Sequence, residues 1–140
     1  MRITFHVPGD PQGKGRARVG KVGGHVRMFT PSETVAYEGL IAMAASEAMR
    51  RAGLEPISGP VSVFVDAKHP MPRSWSKKRA TAATEALAWH IVKPDSDNIG
   101  KAVGDGCNSV VWRDDCQIAD LRVRKTYGLT PGLTVTVEVL

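Results

Sequence analysis

KPDSDNIGKAVGDG (Lys93–Gly106), followed shortly by VVWRDDCQIADLRVRK (Val110–Lys125), is the stretch from which the rest of the chain becomes readable. Lys93 precedes Pro94 and is biased toward extended backbone. If that geometry continues, Asp95 and Asp97 point to the same side of the chain. A helix is expected to start at Asp97 or Asn98 and to end near Gly106, placing Lys101 one turn beyond Asp97 and Asp105 one turn further. Leu121, Val123 and Lys125 then form one side of a strand. A helical period giving way to a strand period within one short run points to an α+β domain.

Charge sharpens this reading. Five of the fourteen acids (Asp95, Asp97, Asp105, Asp114 and Asp115) fall in the window 95–115. Only Lys101 and Arg113 oppose them, so the window carries −3 and the remainder +8 of a net +5. A carboxylate cluster inside a cationic chain is suited to holding a divalent metal against a polyanion. Asp95 and Asp97 make a pincer for a hard cation such as Mg²⁺, and Lys101 lies beside it. Asp105 is expected to lie too far along the helix to reach that cation. Asp114 and Asp115 are adjacent and face opposite ways if extended, so one of them is expected to enter the pocket; local geometry does not choose which.

Outward from this stretch, Ile3, Phe5 and Val7 alternate with polar neighbours as an opening strand. Residues 8–24 are rich in glycine and base and are expected to form a flexible loop. Thr30 is expected to cap a helix, with Pro31 at its first position and Glu33 closing a capping box; Gly53 is its expected C-terminal stop. Val61, Val63 and Val65 mark a strand ending near Ala67. Ser74 is expected to cap a second helix running to about Leu87, with Lys77, Lys78 and Arg79 on its early face. Leu133, Val135, Val137 and Val139 mark a last strand, turned through Thr130-Pro131-Gly132 into a closing β-hairpin with the strand before it.

With 140 residues, 42% of them hydrophobic, the chain reads as one domain, residues 1–140, with a real core. No apolar run is long enough to span a bilayer, and the start lacks a signal-peptide pattern, so a cytoplasmic location and no membrane partner are expected. Cys107 and Cys116 read as reduced, mostly buried thiols rather than a disulfide or zinc pair. The four histidines lack metal-ligand spacing. Trp75, Trp89 and Trp112 read as core anchors in preference to base-stacking platforms. GKGRARVGK lacks a P-loop pattern, so no nucleotide cofactor is expected. Its Lys14, Arg16 and Arg18, helped by Lys77, Lys78 and Arg79, could grip nucleic-acid phosphates.

Each acid also has an ordinary structural alternative. Asp97 could only cap its helix, Lys101 could form exposed pairs with Asp97 and Asp105, and Asp114-Asp115 could be turn residues. Gly100 and Gly104 admit two readings, close packing against a partner subunit or a short irregular helix, with the second favoured.

SWSKKRA (Ser74–Ala80), KPDSDNIGKAVGD (Lys93–Asp105) and VVWRDDCQI (Val110–Ile118), with PQGKGRAR (Pro11–Arg18) and FTPSETVAYE (Phe29–Glu38), together resemble the RusA family of Holliday-junction resolvases. These are small endodeoxyribonucleases of bacteria and their prophages. The resemblance implies that Asp95, Asp97 and Asp115 bind metal, that Lys101 is catalytic, and that Asp114 is an auxiliary neighbour. It implies Mg²⁺ as cofactor, with Mn²⁺ as a substitute, and branched DNA, in particular the four-way junction, as substrate. The implied fold is a compact α+β domain with a mixed or antiparallel sheet and about three helices, acting as a two-fold homodimer. Paired nicks in DNA recombination and repair, near the nucleoid, complete the expectation. Gly100 and Cys107 depart from the bulkier and smaller apolar residues expected at those places. A PD-(D/E)xK nuclease is disfavoured, because Asp66-Ala67-Lys68 lies upstream of Pro94-Asp95. The rival from another class is a branched-DNA-binding protein without catalysis.

Overall fold

The computed structural model describes all residues except Arg16 and Thr30, so the roles expected of those two lie outside the described residues, as do those of the Arg18 side chain. Strand β1 (Arg2–Pro8) buries Ile3, Phe5 and Val7, as its alternation requires. A hairpin follows, β2 (Arg18–Val22) paired antiparallel with β3 (His25–Phe29) around Gly23 and Gly24, both at positive φ. The flexible loop expected over 8–24 is corrected in its second half: the adjacent glycines supply the left-handed turn that lets the flanking residues pair.

Helix α1 (Ser32–Ala52) begins after Pro31, which occupies the cap position without any side-chain cap hydrogen bond. The capping box expected between Thr30 and Glu33 lies outside the described residues. Gly53 ends the helix in the left-handed conformation, as expected. Strand β4 (Val61–His69) runs two residues beyond its expected end. Helix α2 (Lys77–Glu85) starts later than expected, because Ser76 rather than Ser74 accepts the Arg79 N–H, at 3.1 Å. Helix α3 (Ser96–Gly106) has Asp95 at its cap position, and a single 3₁₀ turn (Asp115–Gln117) leads into β5 (Ile118–Tyr127). Strand β6 (Gly132–Val139) closes the chain.

The main sheet has the order β1-β6-β4-β5, with β4 and β5 parallel and the other pairs antiparallel. The expected closing hairpin is thus overturned. Strands β5 and β6 are consecutive in sequence, but β4 lies between them. Val61, Val63, Val65 and Ala67 on β4 are buried and pack among the apolar side chains of β6, while β5 is largely exposed along its first half and suits the edge. Parallel β4 and β5 need a long crossover, which α2 and α3 supply.

Helices α1 and α3 cover the buried face. Tyr37, Ile41, Ala45 and Met49 from α1 meet Ile99, Ala102 and Val103 from α3 over the sheet valines. The helices cross closely at Gly106, where a Cβ would lie 2.9 Å from Ile41 Cβ. Gly100 faces Leu121 and Val123 of β5, so these glycines serve packing within the chain, on a regular helix. Trp112 and Cys107 are fully buried, whereas Cys116 is exposed and Trp89 is 64% exposed, contrary to the buried roles expected of them. Among the described residues no helix is long and apolar enough to cross a membrane.

Candidate active site

Three segments build the site: the loop after β1, helix α3, and the turn before β5. Gly13 lies on the Pro94–Asn98 turn so closely that a Cβ there would approach Asn98 Cβ to 2.8 Å. The Lys14 N–H donates to the Asn98 carbonyl at 2.8 Å, fixing the loop across the start of α3. A cleft of about 710 Å³ opens there, lined by Gly13, Lys14, Lys93, Pro94, Asp95 and Asn98. The uninterrupted extension expected from Lys93 to Asp97 is not what carries the two acids, because the helix already begins at Ser96. They stand instead at the start of α3, Asp95 at the cap position without a side-chain cap hydrogen bond and Asp97 in the first turn, both exposed. Negative charge is favoured at that end by the helix dipole.

Asp115 approaches α3 from the other side. Its carboxylate lies over Gly104, where a Cβ would already meet Asp115 Oδ2 at 3.4 Å, and a larger side chain would push the acid away. Lys101 reaches both Asp115 Oδ2, at 3.1 Å, and Asp105 Oδ1, at 3.2 Å. Asp105 Oδ2 in turn lies 3.1 Å from Lys14 Nζ, which also meets Glu38 at 2.5 Å. The result is an ion chain of alternating sign, Glu38–Lys14–Asp105–Lys101–Asp115, joining α1, the loop, α3 and the turn.

Sequence reading missed two members of this constellation. Asp105, expected as an alternative to pair with Lys101 but to lie too far along the helix for the metal, is its central link. Lys14, expected to grip phosphate, is half-buried and committed to two carboxylates. Glu38 went unnoticed because its partner lies across a loop; its place one turn from Thr34 on α1 was the only available signal.

Electrostatics follow from these contacts. Hydrogen bonds from Lys101 to Asp115 and then Asp105 raise its pKa and favour its ammonium form. Burial opposes the charge on Lys14, yet its bonds to Glu38 and Asp105 outweigh that and raise its pKa too. Asp114 is exposed and sits at the cap of the 3₁₀ turn, and hydrogen bonding with Asp115 and then Cys116 holds it below the usual carboxylate range.

Gln117 fixes this turn. Its Oε1 accepts from the Arg113 and Asp114 N–H groups at 2.9 and 3.0 Å, and its Nε2 donates to the Ile57 and Gly59 carbonyls at 2.8 and 2.9 Å.

The structure brings Asp115 to Lys101 but does not draw the aspartates into a cage. Among the described residues no three His, Cys, Asp or Glu side chains gather closely enough to hold a metal ion. In kind, the donors fit a hard divalent cation: they are carboxylate oxygens, and a cation, the Lys101 ammonium, already sits on Asp115. Lys77, Lys78 and Arg79 are exposed on α2, apart from the ion chain, with Arg79 stacked 4.2 Å above the Trp75 ring.

Comparison with known proteins gives the family of the chain. The family model described as Endodeoxyribonuclease RusA matches residues 8–138. The Uncharacterized protein YqaN of Bacillus subtilis (strain 168) is 36% identical over 138 residues, covering 97% of this chain and 95% of that protein. The match takes in the loop, helix α3 and the Asp114–Gln117 turn together, and the chain belongs to the RusA family of endodeoxyribonucleases.

Proposed function

We propose that the protein is a Mg²⁺-dependent, structure-selective endonuclease that resolves four-way DNA junctions by paired nicks in recombination and repair. The observation that supports this best is the ion chain. It holds Lys101 against Asp115 on the same helix whose start presents Asp95 and Asp97.

In this reading Asp95, Asp97 and Asp115 hold the metal, with Mn²⁺ able to replace Mg²⁺. When bound, the metal supplies Lewis-acid activation of water and neutralises charge on the phosphodiester. The chain's own residues do the rest. Lys101, held protonated, places a fixed positive charge beside the scissile phosphate and stabilises the charge that develops there. Asp105 and Lys14 keep that ammonium oriented, and Gln117 keeps Asp115 in place. Lys77, Lys78 and Arg79 contact the DNA backbone, as do Arg16 and Arg18, whereas Lys14 serves the ion chain. Two opposed nicks need two equivalent sites, which a two-fold homodimer provides. A DNA substrate places the protein in the cytoplasm at the nucleoid.

Substituting Asp97→Asn tests the reading. Mg²⁺-dependent cleavage of a synthetic four-way junction should fall at least about 100-fold, because a neutral amide binds the cation poorly, while gel-shift affinity for the junction holds. Cleavage at the wild-type rate would remove Asp97 from the site.

A further inference from the structure

The segment joining α2 to α3 exposes large apolar side chains immediately before the Lys93–Asp97 motif. Leu87 is 48% exposed, Trp89 64%, Ile91 87% and Val92 60%. This segment is fastened to β5. The His90 N–H donates to the Lys125 carbonyl at 3.0 Å, the Tyr127 N–H to the Ala88 carbonyl at 3.3 Å, and Lys125 Nζ to the Val92 carbonyl at 2.7 Å. His90 turns inward and stacks on His69 with ring centroids 3.5 Å apart, so its neighbours Trp89 and Ile91 are left on the outside as a fixed ridge.

A cleft lies on each side of that ridge. One, of about 430 Å³, is floored by Ala82, Ala83 and Ala86 and walled by Trp75, Tyr127 and Arg79. Trp75 and Tyr127 stand with ring centroids 4.7 Å apart. The other, of about 450 Å³, is bordered by His90, Arg122, Arg124 and Lys125. Among the described residues, every ionisable side chain lining either cleft is a base or a tyrosine, and none is a carboxylate. An apolar protein surface finds no reason for this rim. A strand that alternates flat aromatic bases with phosphates matches both parts of it.

We propose that Trp89 and Ile91, with Trp75 behind them, form a stacking platform for nucleobases left unpaired at a DNA branch point, with the strand's phosphates lying on Arg79 and Arg122. The proposal rests on the nuclease reading and gives it a means of choosing structure over sequence, since every base offers a face to stack. The ridge leads within a few residues to Lys93, Pro94 and Asp95, which line the cleft beside Lys14 and Asn98.

The test uses the full chain in EDTA with a synthetic four-way junction carrying 5-iododeoxyuridine at its crossing point. Ultraviolet cross-linking followed by mass spectrometry should mark Trp89 or Trp75. Trp89→Ala should lower gel-shift affinity about tenfold, with Trp89→Phe restoring most of it, as loss and replacement of one stacking face require. Undiminished binding by Trp89→Ala, with cross-links confined to other residues, overturns the platform and leaves the nuclease reading standing. If Trp89→Ala instead turns a dimer into a monomer in sedimentation, the ridge is an interface between copies and the platform is likewise overturned. If the wild-type chain binds no junction at all, the platform falls together with the nuclease reading.

Discussion

Gln117 carries four hydrogen bonds, and all of them bear on where Asp115 stands. Gln117→Ala would leave two N–H groups and two carbonyls without that partner. The expected loss is about 2 kcal/mol of unfolding free energy, since part of the deficit is met by water. Junction cleavage should fall with it, because Asp115 loses its fixed turn. Urea unfolding and cleavage rates check both, and an unchanged unfolding midpoint would show that the clip is not needed. At this scale the DDxQ run was legible as a unit, but its glutamine was not legible as a clip. The partners at Ile57 and Gly59 lie far back in sequence, and nothing local announces them. The same holds for Lys14, whose companions Glu38 and Asp105 come from two different helices.

Among the elements, the span of α3 was legible because helical spacing is a local property, whereas the cap expected at Asp97 falls at Asp95, which makes no side-chain cap hydrogen bond. The pairing of β5 was not. A turn of Thr130-Pro131-Gly132 between two strands satisfies every local hairpin rule, yet strand order is decided by which strand fills the centre, and that depends on α1, α3 and β4 together. Trp89 was misjudged for a related reason. Its apolar character is a sequence property, but its outward direction follows from His90 turning inward onto His69.

That histidine pair gives an element-scale prediction. Burial, then the nearness of His90 and Lys125, lowers the His69 pKa from 6.5 to about 4. An unfolded chain therefore binds a proton at His69 at higher pH than the folded one does. Stability from this site is full above about pH 6.5, falls as pH drops toward 4, and levels off below it. The full loss is about 3 kcal/mol at most. Urea unfolding from pH 7 to pH 4.5 should show the decline, and His69→Phe should flatten part of it. An equal slope in both proteins would contradict the assignment.

Over the whole molecule, the charge division seen in sequence becomes a spatial one: an acid-bearing α3 whose Lys101 and neighbouring Lys14 are already paired, and separate exposed bases on α2. Replacing Lys77, Lys78 and Arg79 together by Gln should weaken junction binding and lower its log-affinity versus log-salt slope by about 2 to 3, one counterion-release contribution per phosphate contact. Lys14→Ala should leave that slope unchanged while destabilising the fold, because Lys14 is already neutralised by Glu38 and Asp105. A shallower slope for Lys14→Ala would return that lysine to the phosphate contacts.

The central claim concerns the whole molecule acting on a branched substrate. Its most direct test is incubation of the wild-type chain with a four-way junction labelled in turn on each strand, with and without Mg²⁺. Paired nicks at symmetric positions in opposing strands, absent without Mg²⁺ and absent on linear duplex of the same sequence, are the predicted result. No cleavage, or equal cleavage of the linear duplex, would contradict the account.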